Sequence, residues 1–276
     1  MTMKDPSGFL KNYSVVVITG GSSGIGHQFV LRLAALKPDL TILNLSRTRP
    51  EDNWNGLPIL HRQLDLASPA EMDESLQWIA DKCAASAPGK MLLINNSGFG
   101  SYGRFPSGGL DRQLDMVEVN ISAPVHLTGR LLPEIRKRGG GVINMSSLAG
   151  CIPTPYMATY GASKSFILNW SLALGQELKA DGIRVLAVCP GPTKSLFFKN
   201  AGFATPPGGS IAGNATPDFV VDRALEAYAK GRSFLVTGWR NKLVATAASL
   251  LSRTEQASVS EFVLRKLRLE TFLKHP

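Results

Sequence analysis

Short apolar runs alternate with longer amphipathic stretches along most of the chain. The runs cover residues 13–19, 40–45, 58–64, 91–94, 141–146 and 183–188, and a last one closes near Val236. Each has the length of a strand, and most are apolar throughout instead of alternating, the pattern of strands covered on both faces. Between them, helical periodicity holds over 27–36, 69–85, 110–138 and from the Tyr160 region to about Ala180. Strands alternating with helices predict an α/β fold: one doubly wound parallel sheet of about seven strands with helices on both faces. Ligands of such sheets bind beyond the carboxyl ends of the strands, so the residues at those ends are read next.

The first strand runs directly into Gly20, Gly21, Ser22, Ser23, Gly24, Ile25 and Gly26, and a helix follows. Glycines there let the backbone turn tightly and approach a pyrophosphate, whose charge the free amides at a helix start stabilise. Strand, glycine turn and helix together predict a Rossmann-type dinucleotide site. The second strand ends in Ser46, Arg47, Thr48 and Arg49, a hydroxyl and guanidinium where an NAD site would place a carboxylate, which favours NADP. Past the third strand, Asp65 and Leu66 stand where a carboxylate meets an adenine amino group or caps the next helix. The fourth opens into Asn95, Asn96, Ser97 and Gly98; Asn95 either meets the ligand or satisfies neighbouring strands. Asn120 interrupts the helix 110–138, where asparagine is unfavourable unless its amide or a disturbed backbone is used, a buried structural asparagine being the alternative.

Ser147 follows the fifth strand and offers a hydroxyl to a carbonyl oxygen. Tyr160 and Lys164 share one face of a helix, placing a phenol beside an ammonium that is expected to lower its pKa. Such a pair passes protons. After the sixth strand, Cys189, Pro190, Gly191, Pro192 and Thr193 make a sharp turn that leaves Thr193 facing a ligand.

Composition narrows the class. With 276 residues, 44% hydrophobic and 18% charged, the chain is an ordinary globular protein, read as a single domain over 1–276. Three scattered cysteines, Cys83, Cys151 and Cys189, have no metal-ligand spacing and no disulfide framework, so no metal is expected. The first fourteen residues lack a secretory apolar core, and a cytoplasmic protein is expected. A net charge of +9 suits an anionic cofactor, acyl thioester or surface, but no zinc spacing, RNA-reading motif or dense Lys/Arg run points to nucleic acid.

Two segments fall outside this scheme. Residues 194–215, with Leu196, Phe197, Phe198 and Phe203, read either as an apolar flap over the site or as a loop covering the core. From Arg240 to the end, seven Lys or Arg stand against three Glu, and Val259, Phe262, Val263, Leu267 and Phe272 can share a helical face. This basic helical extension, 239–276, is expected to pack on a second copy in a homo-oligomer; the alternatives are an anionic membrane surface and an extension of the substrate pocket.

The glycine turn, Asn95-Asn96-Ser97-Gly98, Asn120, Ser147, Tyr160, Lys164 and Pro190-Gly191, in that order, resemble the short-chain dehydrogenase/reductase family over roughly residues 13–238. The resemblance implies NADP-dependent hydride transfer on a small carbonyl or alcohol substrate, here an apolar ketone or 3-oxoacyl compound. It implies Tyr160 as general acid or base, Lys164 as the group that lowers its pKa and holds the nicotinamide ribose, and Ser147 as the carbonyl-orienting hydroxyl. Asn120 would position a proton-relaying water, Asp65 would meet the adenine, Asn95 the adenosine side and Thr193 the carboxamide. Ser97 departs from the family's usual alanine, and the glycine turn lacks the basic residue of many NADP-preferring members, leaving the 2′-phosphate to Ser46, Arg47 and Arg49. The other readings are a catalytically silent NADP(H) sensor and a peripheral membrane protein built around the tail.

Overall fold

A computed structural model of the chain describes residues 8–202 and 215–266. The strands are β1 (Tyr13–Thr19), β2 (Thr41–Ser46), β3 (Leu60–Gln63), β4 (Lys90–Asn95), β5 (Gly140–Met145), β6 (Arg184–Cys189) and β7 (Phe234–Val236). All pair in parallel, in the order β3-β2-β1-β4-β5-β6-β7, so the winding reverses between β1 and β4. The helices are α1 (Gly24–Leu36), α2 (Pro69–Ala85), α3 (Leu110–Val117), α4 (Ala123–Arg138), α5 (Ala158–Glu177), α6 (Phe197–Asn200), α7 (Pro217–Ala229), α8 (Trp239–Ala248) and α9 (Arg253–Lys266). The expected Rossmann-like sheet is the one observed.

Strand alternation divides the core into two layers. Val16, Ile18, Leu92, Ile94, Leu186 and Val188 face α1 and α7, meeting Phe29, Leu33, Val220 and Ala224. Their neighbours Val15, Val17, Leu93, Val142 and Val185 face the other way, toward Met72 and Ile79 of α2 and Leu127 and Ile135 of α4. Strands buried on both faces explain the continuous apolar runs. The exception is β3, an edge strand only partly covered, where the expected run 58–64 shrinks to Leu60–Gln63. Pro58 has no N–H to give a ladder, which keeps the pairing from starting earlier.

The expected helix over 110–138 is divided. Between α3 and α4 the backbone widens into a π-helical turn at Glu118–Ser122, and Asn120 lies in its middle, 1% exposed. The asparagine that looked out of place in a regular helix therefore marks a disturbed one.

Candidate active site

The carboxyl edge of the sheet borders a cavity of about 1520 Å³. Among the residues expected at a site, Gly20, Ser22, Ser23, Gly24, Ile25, Ser46, Arg47, Asp65, Leu66, Ser147, Tyr160, Lys164, Pro190, Gly191 and Thr193 line it. Gly26, Asn95 and Asn120 stand behind the wall and shape it.

The glycine turn is held from three sides. The Gly21 N–H donates to Asn44 Oδ1 (2.7 Å), and the indole N–H of buried Trp54 donates to the Gly21 carbonyl (2.9 Å). Asn96 Nδ2 donates to the carbonyls of Thr19 and Gly20. Gly26 makes this packing possible: a Cβ there would lie 2.1 Å from the Gly20 carbonyl oxygen. The helix behind the turn starts at Gly24, three residues earlier than expected, so its first amides enter the cavity wall. Ser23, its N-cap, forms no side-chain cap, and no carboxylate stands in its first turn. A helix start without either compensation fits a pyrophosphate.

Next to it, Arg47 makes no hydrogen bond or ion pair among the described residues and lines the cavity, as do Arg49, Glu51 and Asp52. Asp52 is engaged by His27 (3.0 Å). Ser46 is turned inward, accepting from Asn44 Nδ2 and donating to the Thr48 carbonyl, so Arg47 is the free cation at the end of β2. Asp65 does not cap α2, whose N-cap is Ser68; its Oδ1 accepts the Ala67 N–H (3.0 Å) in the preceding turn, and the residue lines the cavity. Thr193 Oγ1 donates back to the Gly191 carbonyl (2.9 Å).

Asn95 is a bridge inside the sheet. Its amide donates to Asn144 Oδ1 on β5 (2.8 Å) and Thr128 Oγ1 on α4 (3.0 Å), and Asn96, Ser97 and Gly98 form the wall in its place. Asn120 is a clamp: Oδ1 accepts the Phe99 N–H, and Nδ2 donates to the Phe99 carbonyl and to Ser163 Oγ. It thereby ties the loop after β4 to α5.

Tyr160 and Lys164 occupy the first turns of α5, 8% and 4% exposed. Lys164 Nζ donates to the Met145 carbonyl at the end of β5 (2.9 Å), and Ser146 Oγ donates to the Lys164 carbonyl (2.6 Å). A Cβ on Gly98 would lie 2.9 Å from Lys164 Nζ and 3.0 Å from Asn120 Oδ1, so a methyl group there would displace both polar ends. Ser147 Oγ accepts the Ala149 N–H (3.2 Å), which leaves its own proton to be given elsewhere.

The electrostatics correct one expectation. Lys164 was expected to lower the phenol's pKa, but burial pushes Tyr160 up to about 12, only partly offset by the Ser147 hydroxyl. Burial brings Lys164 down to about 8. The ammonium lies 5.9 Å from the centre of the Tyr160 ring, and desolvation of both groups outweighs their attraction.

Apolar groups close the other half of the cavity. Phe197 of α6 packs 5.1 Å from the Tyr160 ring, centre to centre, so the described part of the expected flap covers the site; Phe203 lies outside the described residues. Helices α8 and α9 bring Val244, Ala247, Val259 and Val263 to the same cavity, and Leu251 of the turn between them joins this wall. The basic extension thus walls the pocket in its described part, while Leu267 and Phe272 lie outside the described residues. Among these residues no helix is long and apolar enough to cross a membrane, and no cluster of metal-binding side chains occurs.

The supports that sequence reading missed are Asn44, Asn144 and Trp54. Two of them left a signal, as asparagines near the carboxyl ends of otherwise apolar strands, where the residue is disfavoured. Trp54 left none: it sits in a left-handed turn that no local pattern announces (φ 51°).

Comparison with known proteins agrees with this geometry. A family model described as short chain dehydrogenase matches residues 14–203. The uncharacterized oxidoreductase YbbO of Escherichia coli K12 is 32% identical over 225 residues, covering 77% of this chain and 80% of YbbO. The very-long-chain 3-oxoacyl-CoA reductase of Phaeosphaeria nodorum is 32% identical over 197 residues, covering 67% of this chain and 56% of that protein. A short-chain dehydrogenase from Sphingobium yanoikuyae, solved in complex with NADPH, is 25% identical with a TM-score of 0.71, over 86% of this chain and 94% of that one. Fold, edge geometry and sequence similarity agree that this chain belongs to the short-chain dehydrogenase family of nicotinamide-dependent oxidoreductases.

Proposed function

We propose that the protein uses NADPH to reduce an apolar ketone or 3-oxoacyl compound. The observation that carries this reading is the meeting of Ser147, Tyr160 and Lys164 with Arg47 and the uncapped start of α1 around one cavity, to which Phe197, Val244, Val259 and Val263 add apolar wall. Bound NADPH supplies the hydride. The amides of the glycine turn hold its pyrophosphate, Arg47 its 2′-phosphate, Asp65 its adenine and Thr193 its carboxamide.

Ser147 orients the substrate carbonyl: with its oxygen accepting from Ala149, its proton is donated to the carbonyl oxygen. Tyr160, kept protonated at neutral pH by a pKa of about 12, gives its phenolic proton to that oxygen as negative charge develops there. Lys164 stabilises the phenolate left behind and holds the ribose hydroxyls. Asn120, its amide fully engaged, holds the Phe99 loop against α5 and so fixes the wall beside Lys164. The apolar contribution of α6, α8 and α9 and the similarity to a 3-oxoacyl-CoA reductase support the substrate class.

The test is NADPH consumption, followed by nicotinamide absorbance, across acyl thioesters, steroids, aromatic ketones and diketones. Turnover of an apolar carbonyl supports the reading. Tight NADPH binding without turnover of any member would replace it with a silent cofactor sensor.

Two variants probe its parts. Arg47→Ala is expected to raise KM for NADPH about tenfold and leave KM for NADH nearly unchanged, since a charged hydrogen bond contributes about 1.5–3 kcal/mol. Parallel shifts for both cofactors would remove Arg47 from the 2′-phosphate. Gly98→Ala pushes a methyl group against Lys164 Nζ and Asn120 Oδ1 and is expected to lower kcat by about tenfold in a folded protein. Circular dichroism and kcat together decide it, and an unchanged kcat contradicts the role given to this passage.

A further inference from the structure

We propose that the outer face of α8 docks this protein on an anionic lipid surface. Helix α8 has no buried residue. Its inner side, Arg240, Asn241, Val244, Ala247 and Ala248, lines the cavity, and Leu251 continues that wall beyond the helix. On the opposite side Trp239 and Leu243 and, just past the helix end, Leu250 follow one another at four- and seven-residue steps, which is one helical face. None of the three lines the cavity, and they are 67%, 61% and 83% exposed. A helix apolar on both sides has a second side to cover.

Charge identifies the cover. From Trp239 to Thr254 the chain carries Arg240, Lys242 and Arg253 and no Asp or Glu. The Arg240 guanidinium stacks 5.2 Å from the Trp239 ring, placing a cation at the edge of the apolar row. Tryptophan and leucine between cations, without a carboxylate, match the acyl and headgroup layers of an anionic interface. A second copy of this chain fits less well, because in a two-fold contact through this face Arg240 and Lys242 would meet the same cations with no carboxylate on the helix to pair them. Docked this way, the helix that touches lipid is also a wall of the cavity.

The test needs neither cofactor nor turnover, so its failure and that of the reductase reading are separable. The full chain is sedimented with phosphatidylcholine vesicles with and without phosphatidylserine, at low and high salt. Phosphatidylserine-dependent binding that weakens with salt is expected. The triple variant Trp239→Ser, Leu243→Ser, Leu250→Ser is expected to bind at least about tenfold more weakly while NADPH affinity is kept. Leu250→Asp, a single change at a position 83% exposed, gives the same sign without risk to the fold. Equal binding to both vesicle types, or full binding by both variants, overturns the proposal. So does light scattering that shows an oligomer of the parent chain falling to monomers in the triple variant, because a second copy then occupies the face.

Discussion

Tyr160→Phe is expected to lower kcat by about a thousandfold or more and leave the NADPH dissociation constant within about threefold, because general acid catalysis contributes about 10²–10⁴. The substitution removes one oxygen. The ring that packs against Phe197 stays, and the helix around it is unchanged. Serine at position 147 can still bind the carbonyl, but no phenolic proton reaches the alkoxide. Single-turnover kinetics with saturating NADPH isolate this step. A variant that keeps more than a tenth of the parent kcat would show that the proton comes from another group, and the mechanism above would fail.

Lys164→Met is expected to stabilise the protein while abolishing turnover. Burial depresses the folded-state pKa from 10.5 to about 8, so below pH 8 the folded state holds an ammonium that water would hold more favourably. At about 1.4 kcal/mol per pKa unit the cost is about 3.5 kcal/mol, and loss of the charged bond to the Met145 carbonyl, about 1.5–3 kcal/mol, offsets much of it, leaving a gain of about 0.5–2 kcal/mol. The sign with pH follows from proton binding. Between 8 and 10.5 the unfolded chain holds this proton more fully than the folded one, so the parent gains stability as pH rises through that window. The difference between variant and parent is therefore full at pH 7 and has closed by about pH 10.5. Urea unfolding at pH 7 and pH 10 measures it; a variant less stable than the parent at pH 7, or a gap independent of pH, rules the account out. Activity moves the other way, since raising the pH through 8 discharges the group that stabilises the Tyr160 phenolate.

The sheet and its order of events were legible because strands covered on both faces must be apolar throughout, and 13–19, 91–94 and 183–188 have that form. The residues at their carboxyl ends were legible because glycine, proline and polar groups interrupt those runs abruptly. What joins the ends to one another was not. Asn95 reads as a ligand contact or a brace with equal ease, and only the distances to Asn144 and Thr128 choose the brace. The pKa of Tyr160 was misjudged for a related reason: spacing on a helix reports the distance to Lys164 but not the desolvation that both groups share. The place of the basic extension, too, depends on tertiary contacts that Val244 and Val263 make with a cavity formed by residues far away in sequence.

The π-helical turn at Glu118–Ser122 amounts to an α-helix with one surplus residue. The wide turn absorbs that residue, and Gln113 and Met116 before it and Leu127 and Leu131 after it are all buried. Removing the surplus residue would restore a regular hydrogen-bond ladder with the two halves still in phase, since one wide turn and one regular turn rotate the chain by nearly the same angle. Met116 and Leu127 would keep their places in the core, but the Asn120 amide would leave Phe99 and Ser163. This segment therefore tolerates exchange of its exposed side chains but not a change in its length, and it is the active site, more than helix stability, that fixes the count.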